Sequence, residues 1–302
     1  MSGSEILAMT VMQGFAGISL FCVLLLMALG LAIVFGQMGV INMAHGEFMV
    51  LGAYTVYVLS LLAEKFDFVQ AYFPFALIVA FGVAFAGGYF LEAVLIRHLY
   101  RRPLDTLLAT WGVSLIMQQS FRSIFGAREV SPVLPDWVTG SIAVSDIIDI
   151  PESGIFVLVL AILATCMVAL LLYRSNWGLT VRATMQNRMI AGAVGINTAH
   201  VDRFSFALGC GLAGVAGAAF TTIASTSPTS GALYIVDTFL VVVFGGAASL
   251  FGTVASAFSI GQAQSALEFF TTGSMAKVLT LVTVVLILML RPEGLFRNKV
   301  RR

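Results

Sequence analysis

Between Phe15 and Phe35 the chain carries no charged residue, and no lysine or arginine precedes Lys65. An apolar run of about 20 residues, coiled as a helix, spans the ~30 Å hydrocarbon core of a bilayer, where backbone groups must be hydrogen-bonded within the protein. The pattern recurs. Apolar runs between polar punctuation fall near residues 14–36, 47–63, 73–96, 104–121, 154–173, 204–226, 236–256, 257–270 and 276–290. The expected fold is all-α: a polytopic transmembrane helical bundle of about eight to ten membrane segments, some of them discontinuous, forming one domain over residues 1–302.

Composition narrows the function. Of 302 residues 59% are hydrophobic and 10% charged, whereas soluble domains carry about 25% charged residues. A net charge of +1 argues against a nucleic-acid partner and leaves the lipid bilayer as the surroundings. The N-terminus lacks the basic start of a secretory signal, so the first span is expected to be retained. Cys22, Cys166 and Cys210 all lie in apolar runs and read as small buried hydrophobes, with no metal or disulfide role expected.

Basic clusters set the orientation, since short loops rich in Lys and Arg stay in the cytoplasm. Arg97, Arg101 and Arg102 form one cluster; Arg174, Arg182, Arg188 and Arg203 a second; and Arg291, Arg297, Lys299, Arg301 and Arg302 end the chain. Nine spans put all three on one side. Residues 174–203 and the C-terminus are then cytoplasmic. The acidic segment 122–153, with Glu129, Asp136, Asp146, Asp149, Glu152 and an interface-suited Trp137, is external, as is the N-terminus.

Two stretches interrupt the apolar pattern without basic flanks. Residues 34–54 place Asn42, His45 and Glu47 among Gly36, Gly39, Gly46 and Gly52; residues 241–264 carry Gly245 and Gly246 after a Val-Phe-Gly that echoes Val34, Phe35 and Gly36. Irregular backbone at membrane depth is tolerated where it lines a cavity or packs on protein, and transporter sites are often built from such broken helices. The alternative is an interfacial turn capped by Asn42. Thr110, Ser114 and Gln118 repeat at four-residue spacing and form a polar stripe suited either to interhelical hydrogen bonds or to lining a path. Gly209, Ala213 and Gly217 give residues 206–220 a flat face for close helix packing, internal or between subunits. Residues 174–203 mix arginines with Ala183, Met185, Met189, Ile190, Ala191 and Val194, giving a short helix an apolar edge that wants a partner groove. His45 and Glu47 lack the second histidine of a zinc hydrolase motif, and no catalytic triad is evident, so no enzyme activity is expected.

The wording FGQMGVINMAHGE, LDTLLATWGVSLIMQQ, YIVDTFLVVVFGG and RPEGLF, in this order, resembles the permease subunits of bacterial ABC importers for branched-chain amino acids, and most of all their urea-transporting branch. The resemblance implies a non-catalytic inner-membrane permease paired with a second, homologous permease, two cytoplasmic ATPase subunits that bind ATP, and a periplasmic substrate-binding protein, with no cofactor in this chain. It also implies ATPase coupling through Gly178, Arg182, Ala183, Asn187, Ala191 and Gly195, and places the Asn42, His45 and Glu47 stretch near the translocation path. The hydrogen-bonding Thr110 and Gln118 and the glycine break at Gly245 and Gly246 are expected, from their own chemistry, to line the same path. Ser227 before Pro228, and Ala247, Ala248 and Ser249 after Gly246, depart from the family's glycines. Sparse charge in the spans leans toward urea over zwitterionic amino acids; branched-chain amino acids or short amides are the alternatives within the same importer class. A passive small-solute channel, which needs no ATP, is the rival of another class.

Overall fold

A computed structural model describes residues 3–100, 102–145, 148–246, 249–291 and 294. Arg101, Asp146, Ala247, Ala248, Arg297, Lys299, Arg301 and Arg302 lie outside the described residues. In chain order the elements are α1 (Gly3–Met38), α2 (His45–Lys65), α3 (Tyr72–Val94), a 3-10 turn (Ile96–His98), α4 (Pro103–Phe125), a short α5 (Asp136–Thr139), β1 (Ser141–Ser145) paired antiparallel with β2 (Ile148–Pro151), α6 (Glu152–Arg174), α7 (Asn176–Gln186), α8 (Arg188–Ala193), α9 (Thr198–Phe220), α10 (Ser230–Gly245), α11 (Leu250–Phe270) and α12 (Gly273–Leu290).

Among the described residues six helices, α1, α2, α3, α6, α9 and α12, are long and apolar enough to cross a membrane, and α10 is a shorter apolar helix. Helices α4 and α11, of 23 and 21 residues, match them in length but carry polar stripes. The chain is a multi-pass, almost wholly helical membrane protein.

Two helices form the centre. Residues Cys22 to Leu29 of α1 are buried on every side, as a helix that is apolar all round should be. Helix α9 is buried nearly throughout, and its small residues explain why. A Cβ on Gly217 would stand 1.8 Å from the Met49 carbonyl oxygen of α2, and one on Gly209 2.7 Å from the Gly30 carbonyl oxygen of α1. The flat face found in the sequence therefore packs internally, on α1, α2 and α3. Cys22 and Cys210 are buried as expected, but Cys166 is exposed on the outward side of α6. Only 22% of the most apolar part of α6 is buried, so a small apolar residue there meets the surroundings.

The bundle has two distinct ends. At one, Gln37 of α1 reaches Asp202 of α9, and Glu92 of α3 pairs with Arg203; α7 and α8 sit here. At the other, Val130 and Thr226 form a β-bridge, Trp137 donates to the Gln70 carbonyl at 2.9 Å, and Tyr72 donates to the Val133 carbonyl at 2.7 Å. The α2–α3 turn is thus held by α5, while β2 lies against α1 and α6.

The sequence-based boundaries need correction at two places. Helix α9 stops at Phe220, short of 226, and the expected spans 236–256 and 257–270 are replaced by α10 and one continuous α11. Gly246, with φ +89°, ends α10, and the Ser249 hydroxyl accepts from the Gly252 amide at 3.0 Å to cap α11. The second interruption is thus a boundary between two helices, where the Ser249 amide donates to the Gly246 carbonyl at 2.9 Å.

Candidate functional site

After Met38 the chain leaves helical geometry for residues 39–44 and re-enters it at His45. Gly39 makes the turn, with its amide bonded to the Phe35 carbonyl at 2.9 Å and a φ of +64° that disfavours any Cβ. The chain then doubles back along α1. His45 Nε2 lies 3.1 Å from the Met27 carbonyl, eleven residues and about 16 Å of helix before the end of α1. Helix α2 therefore begins inside the bundle, as a broken helix at membrane depth would.

Close backbone contact holds that start in place. A Cβ on Gly46 would come within 2.3 Å of the Gly231 carbonyl oxygen in the first turn of α10. Asn42 is buried, and its Oδ1 accepts from the Ala44 amide at 3.0 Å. Asn42 thus shapes the turn ahead of α2 without capping the helix, whose N-cap position is Ala44 with no side-chain cap, while its Nδ2 is buried with no partner among the described residues.

Helix α4 meets this segment with its polar stripe. Thr110 Oγ1 accepts from the Met43 amide at 3.1 Å. Glu47, fully buried in the first turn of α2, accepts through Oε1 from Ser114 Oγ at 3.0 Å and from Gln118 Nε2 at 2.8 Å. Its second oxygen has no partner among the described residues. Further along the same seam Tyr54 stacks on Phe125, with ring centroids 4.2 Å apart, and its buried hydroxyl is also unpaired. The seam between α2 and α4 is polar at its inner half and closed by aromatic rings beyond.

The expected path residues do not form one cluster. Thr110, Gln118, Glu47 and Asn42 come together, with Ser114 between them. His45 does not join them: two residues from Glu47, it points about 200° away around the helix axis, to α1. The Met27 carbonyl can only accept, so Nε2 carries the hydrogen, and Nδ1 is buried with no partner among the described residues. Gly245 and Gly246 are farther off. They close the opposite end of α10 from Gly231, fourteen residues and about 21 Å away, where Gly245 packs on Gly252. Sequence reasoning missed Tyr54 altogether; its signal was a seven-residue spacing from Glu47, which puts both on one helix face.

The expected coupling residues occupy a compact pair of helices. Gly178 lies against the Leu171 and Leu172 carbonyls, Arg182 donates to the Leu172 carbonyl, and Asn187 caps α8 by accepting from the Met189 and Ile190 amides at 3.0 Å. Ala191 is 3% exposed, so it faces the bundle and not the apolar edge in which the sequence placed it. That edge is Met189, Ile190 and Val194, exposed by 85%, 61% and 71%. Ala183 is half-buried, and Gly195, at φ +91°, ends α8.

Residues 14–289 match the family described as branched-chain amino acid transport system, permease component. The high-affinity branched-chain amino acid transport system permease protein LivH of Salmonella typhimurium is 26% identical over 292 residues, covering 94% of each chain. BraD of Pseudomonas aeruginosa, described in the same words, is 27% identical over 280 residues, covering 89% of this chain and 90% of its own. A probable branched-chain amino acid transport permease protein of Methanocaldococcus jannaschii is 26% identical over 294 residues, covering 90% and 88%. No solved structure matches the chain. With the match running from the middle of α1 to the end of α12, the chain belongs to the family of permease components of branched-chain amino acid transport systems.

Proposed function

We propose that this chain is the permease of an ATP-driven importer for a small neutral amide such as urea, with the seam between α2 and α4 as its solute path. One observation carries the reading. Buried polar atoms are normally hydrogen-bonded, and leaving one unpaired costs about 1–3 kcal/mol, yet Asn42 Nδ2, Glu47 Oε2 and Tyr54 Oη are all buried and have no partner among the described residues, along one helix and its lead-in segment. A passing solute would pair them in turn. Urea offers N–H donors to Glu47 and a carbonyl to Asn42, and the groups bonded to Glu47 are neutral.

The positive-inside rule supports an inner-membrane orientation with α7, α8 and the C-terminus in the cytoplasm. The exposed Met189, Ile190 and Val194 would then face an ATPase subunit, and the 122–153 segment a periplasmic binding protein. A second, homologous permease completes the path, and ATP is held by the two ATPase subunits. Displacement of α7 and α8 opens and closes the seam; the chain itself performs no chemistry.

A second reading, import of branched-chain amino acids, draws on the names of the relatives, and Glu47 would then receive the ammonium group. Uptake by proteoliposomes holding both permeases, the ATPases and the binding protein separates the readings. ATP-dependent accumulation of labelled urea in preference to leucine is expected. Preference for leucine would replace urea by the second reading, and uptake independent of ATP would favour a passive channel.

A further inference from the structure

The α7–α8 pair is fastened to the foot of the bundle by the first residue of α8. Arg188 donates through Nη2 to Oδ2 of Asp202, a residue of α9 with no exposed surface. The other oxygen of the same carboxylate, Oδ1, accepts from Nε2 of Gln37 at 3.3 Å. Gln37 belongs to the last turn of α1 and precedes Gly39, where the 39–44 segment turns back into the bundle, by two residues. One buried carboxylate thus holds the loop by one oxygen and the lead-in to the path by the other.

A second buried acid braces the node. Glu92 of α3 accepts from Arg203 Nε at 2.8 Å and from the Tyr100 hydroxyl. The Arg188 guanidinium lies 5.3 Å from the Tyr100 ring centroid, within cation–π range. Burial, with Glu92 accepting its hydrogen, pushes the Tyr100 phenol above its ordinary pKa, so it stays a donor. A buried carboxylate stripped of its partner is strongly unfavourable, so Asp202 follows the group that pairs it.

We propose that Arg188 is a positioning residue that transmits displacement of α7 and α8 through Asp202 and Gln37 to the 39–44 segment and the start of α2. This rests on the reading of α7–α8 as the seat of an ATPase. A carboxylate bridging two elements has two stable arrangements, partnered or not, and that is the kind of contact that carries coupling between distant sites. Arg182 is a contrast within the same loop: it donates to the Leu172 carbonyl of α6, next to its own helix pair, and holds the loop together without reaching α1.

The test uses the complete importer in proteoliposomes, reading solute uptake per ATP hydrolysed for each assembled complex. Arg188→Gln, Asp202→Asn and Gln37→Leu should each lower that ratio about tenfold, within the range of coupling between sites. Arg188→Lys should restore most of it. The double variant Arg188→Gln with Asp202→Asn should be no worse than either single one, because a shared link is cut only once. A purely structural contact would instead lower the amount of assembled complex and leave the ratio at the wild-type value. That result, or additive losses in the double variant, would overturn the proposal. Gln37→Leu, at a half-buried site, decides alone if the Asp202 variants do not accumulate. Wild-type uptake that needs no ATP would sink the underlying importer reading, whereas ATP-driven uptake indifferent to Arg188 and Gln37 would sink only the link.

Discussion

Gln118 donates its side-chain amide to Oε1 of Glu47 across 2.8 Å, and the other carboxylate oxygen of Glu47 faces no partner among the described residues. One side of the acid is therefore fixed by α4 and the other is free for a transient ligand. Gln118→Ala removes the closer of two neutral donors to the buried Glu47 carboxyl, and a buried polar atom left unpaired costs about 1–3 kcal/mol. Uptake should fall about ten- to a hundredfold while the amount of permease in the membrane stays unchanged, as comparison of transport rates with immunoblots will show.

Asn42→Leu keeps the branched shape, though not the volume, and deletes both the turn-forming Oδ1 and the unpaired Nδ2. Transport should drop with assembly retained, and amide exchange at the start of α2 should quicken because the Ala44 amide loses its acceptor.

Gly217 and Gly14 provide a packing control. A side chain on Gly217 meets the Met49 carbonyl at once, whereas nothing lies within 4 Å of a Cβ on Gly14. Gly217→Val should destabilise the bundle by ~1–3 kcal/mol or more and reduce its melting temperature in detergent, with Gly14→Val indistinguishable from wild type.

On the α7–α8 pair, Ile190→Asp places a charge on an exposed apolar residue and should abolish co-purification of the proposed ATPase subunits while leaving the permease folded. Ala191→Asp differs in kind: it buries a charge against the bundle and should lower permease levels themselves. Quantifying both proteins after affinity capture distinguishes the two outcomes.

What could be read from the sequence follows the reach of each signal. The small-residue rows of α9 and the Thr110, Ser114, Gln118 stripe were visible because both repeat within one helix, and the helix period fixes which residues share a face. Their partners were not visible. Nothing local says that the stripe faces Glu47 or that His45 turns toward α1. The interruption at Gly245 and Gly246 was visible, but the expected span runs on to 256 because apolar and small residues continue past it; only Ser249, ahead of Gly252, marked a new helix start. The Ala191 error has the same origin, since the apolar residues of a short helix do not reveal which of them the bundle already covers. The hydrogen bonds joining Arg188, Asp202 and Gln37 link three elements and carry no sequence pattern at all.

Cysteine chemistry at the seam addresses the solute path most directly. Ser114→Cys is introduced into a chain whose Cys22, Cys166 and Cys210 are replaced by alanine, and the assembled importer is exposed to a small water-soluble thiol reagent during ATP turnover. The expected result is modification that proceeds under turnover and is slowed by urea. A thiol that never reacts, or one whose reaction is unaffected by urea and by leucine alike, would contradict a solute path between α2 and α4.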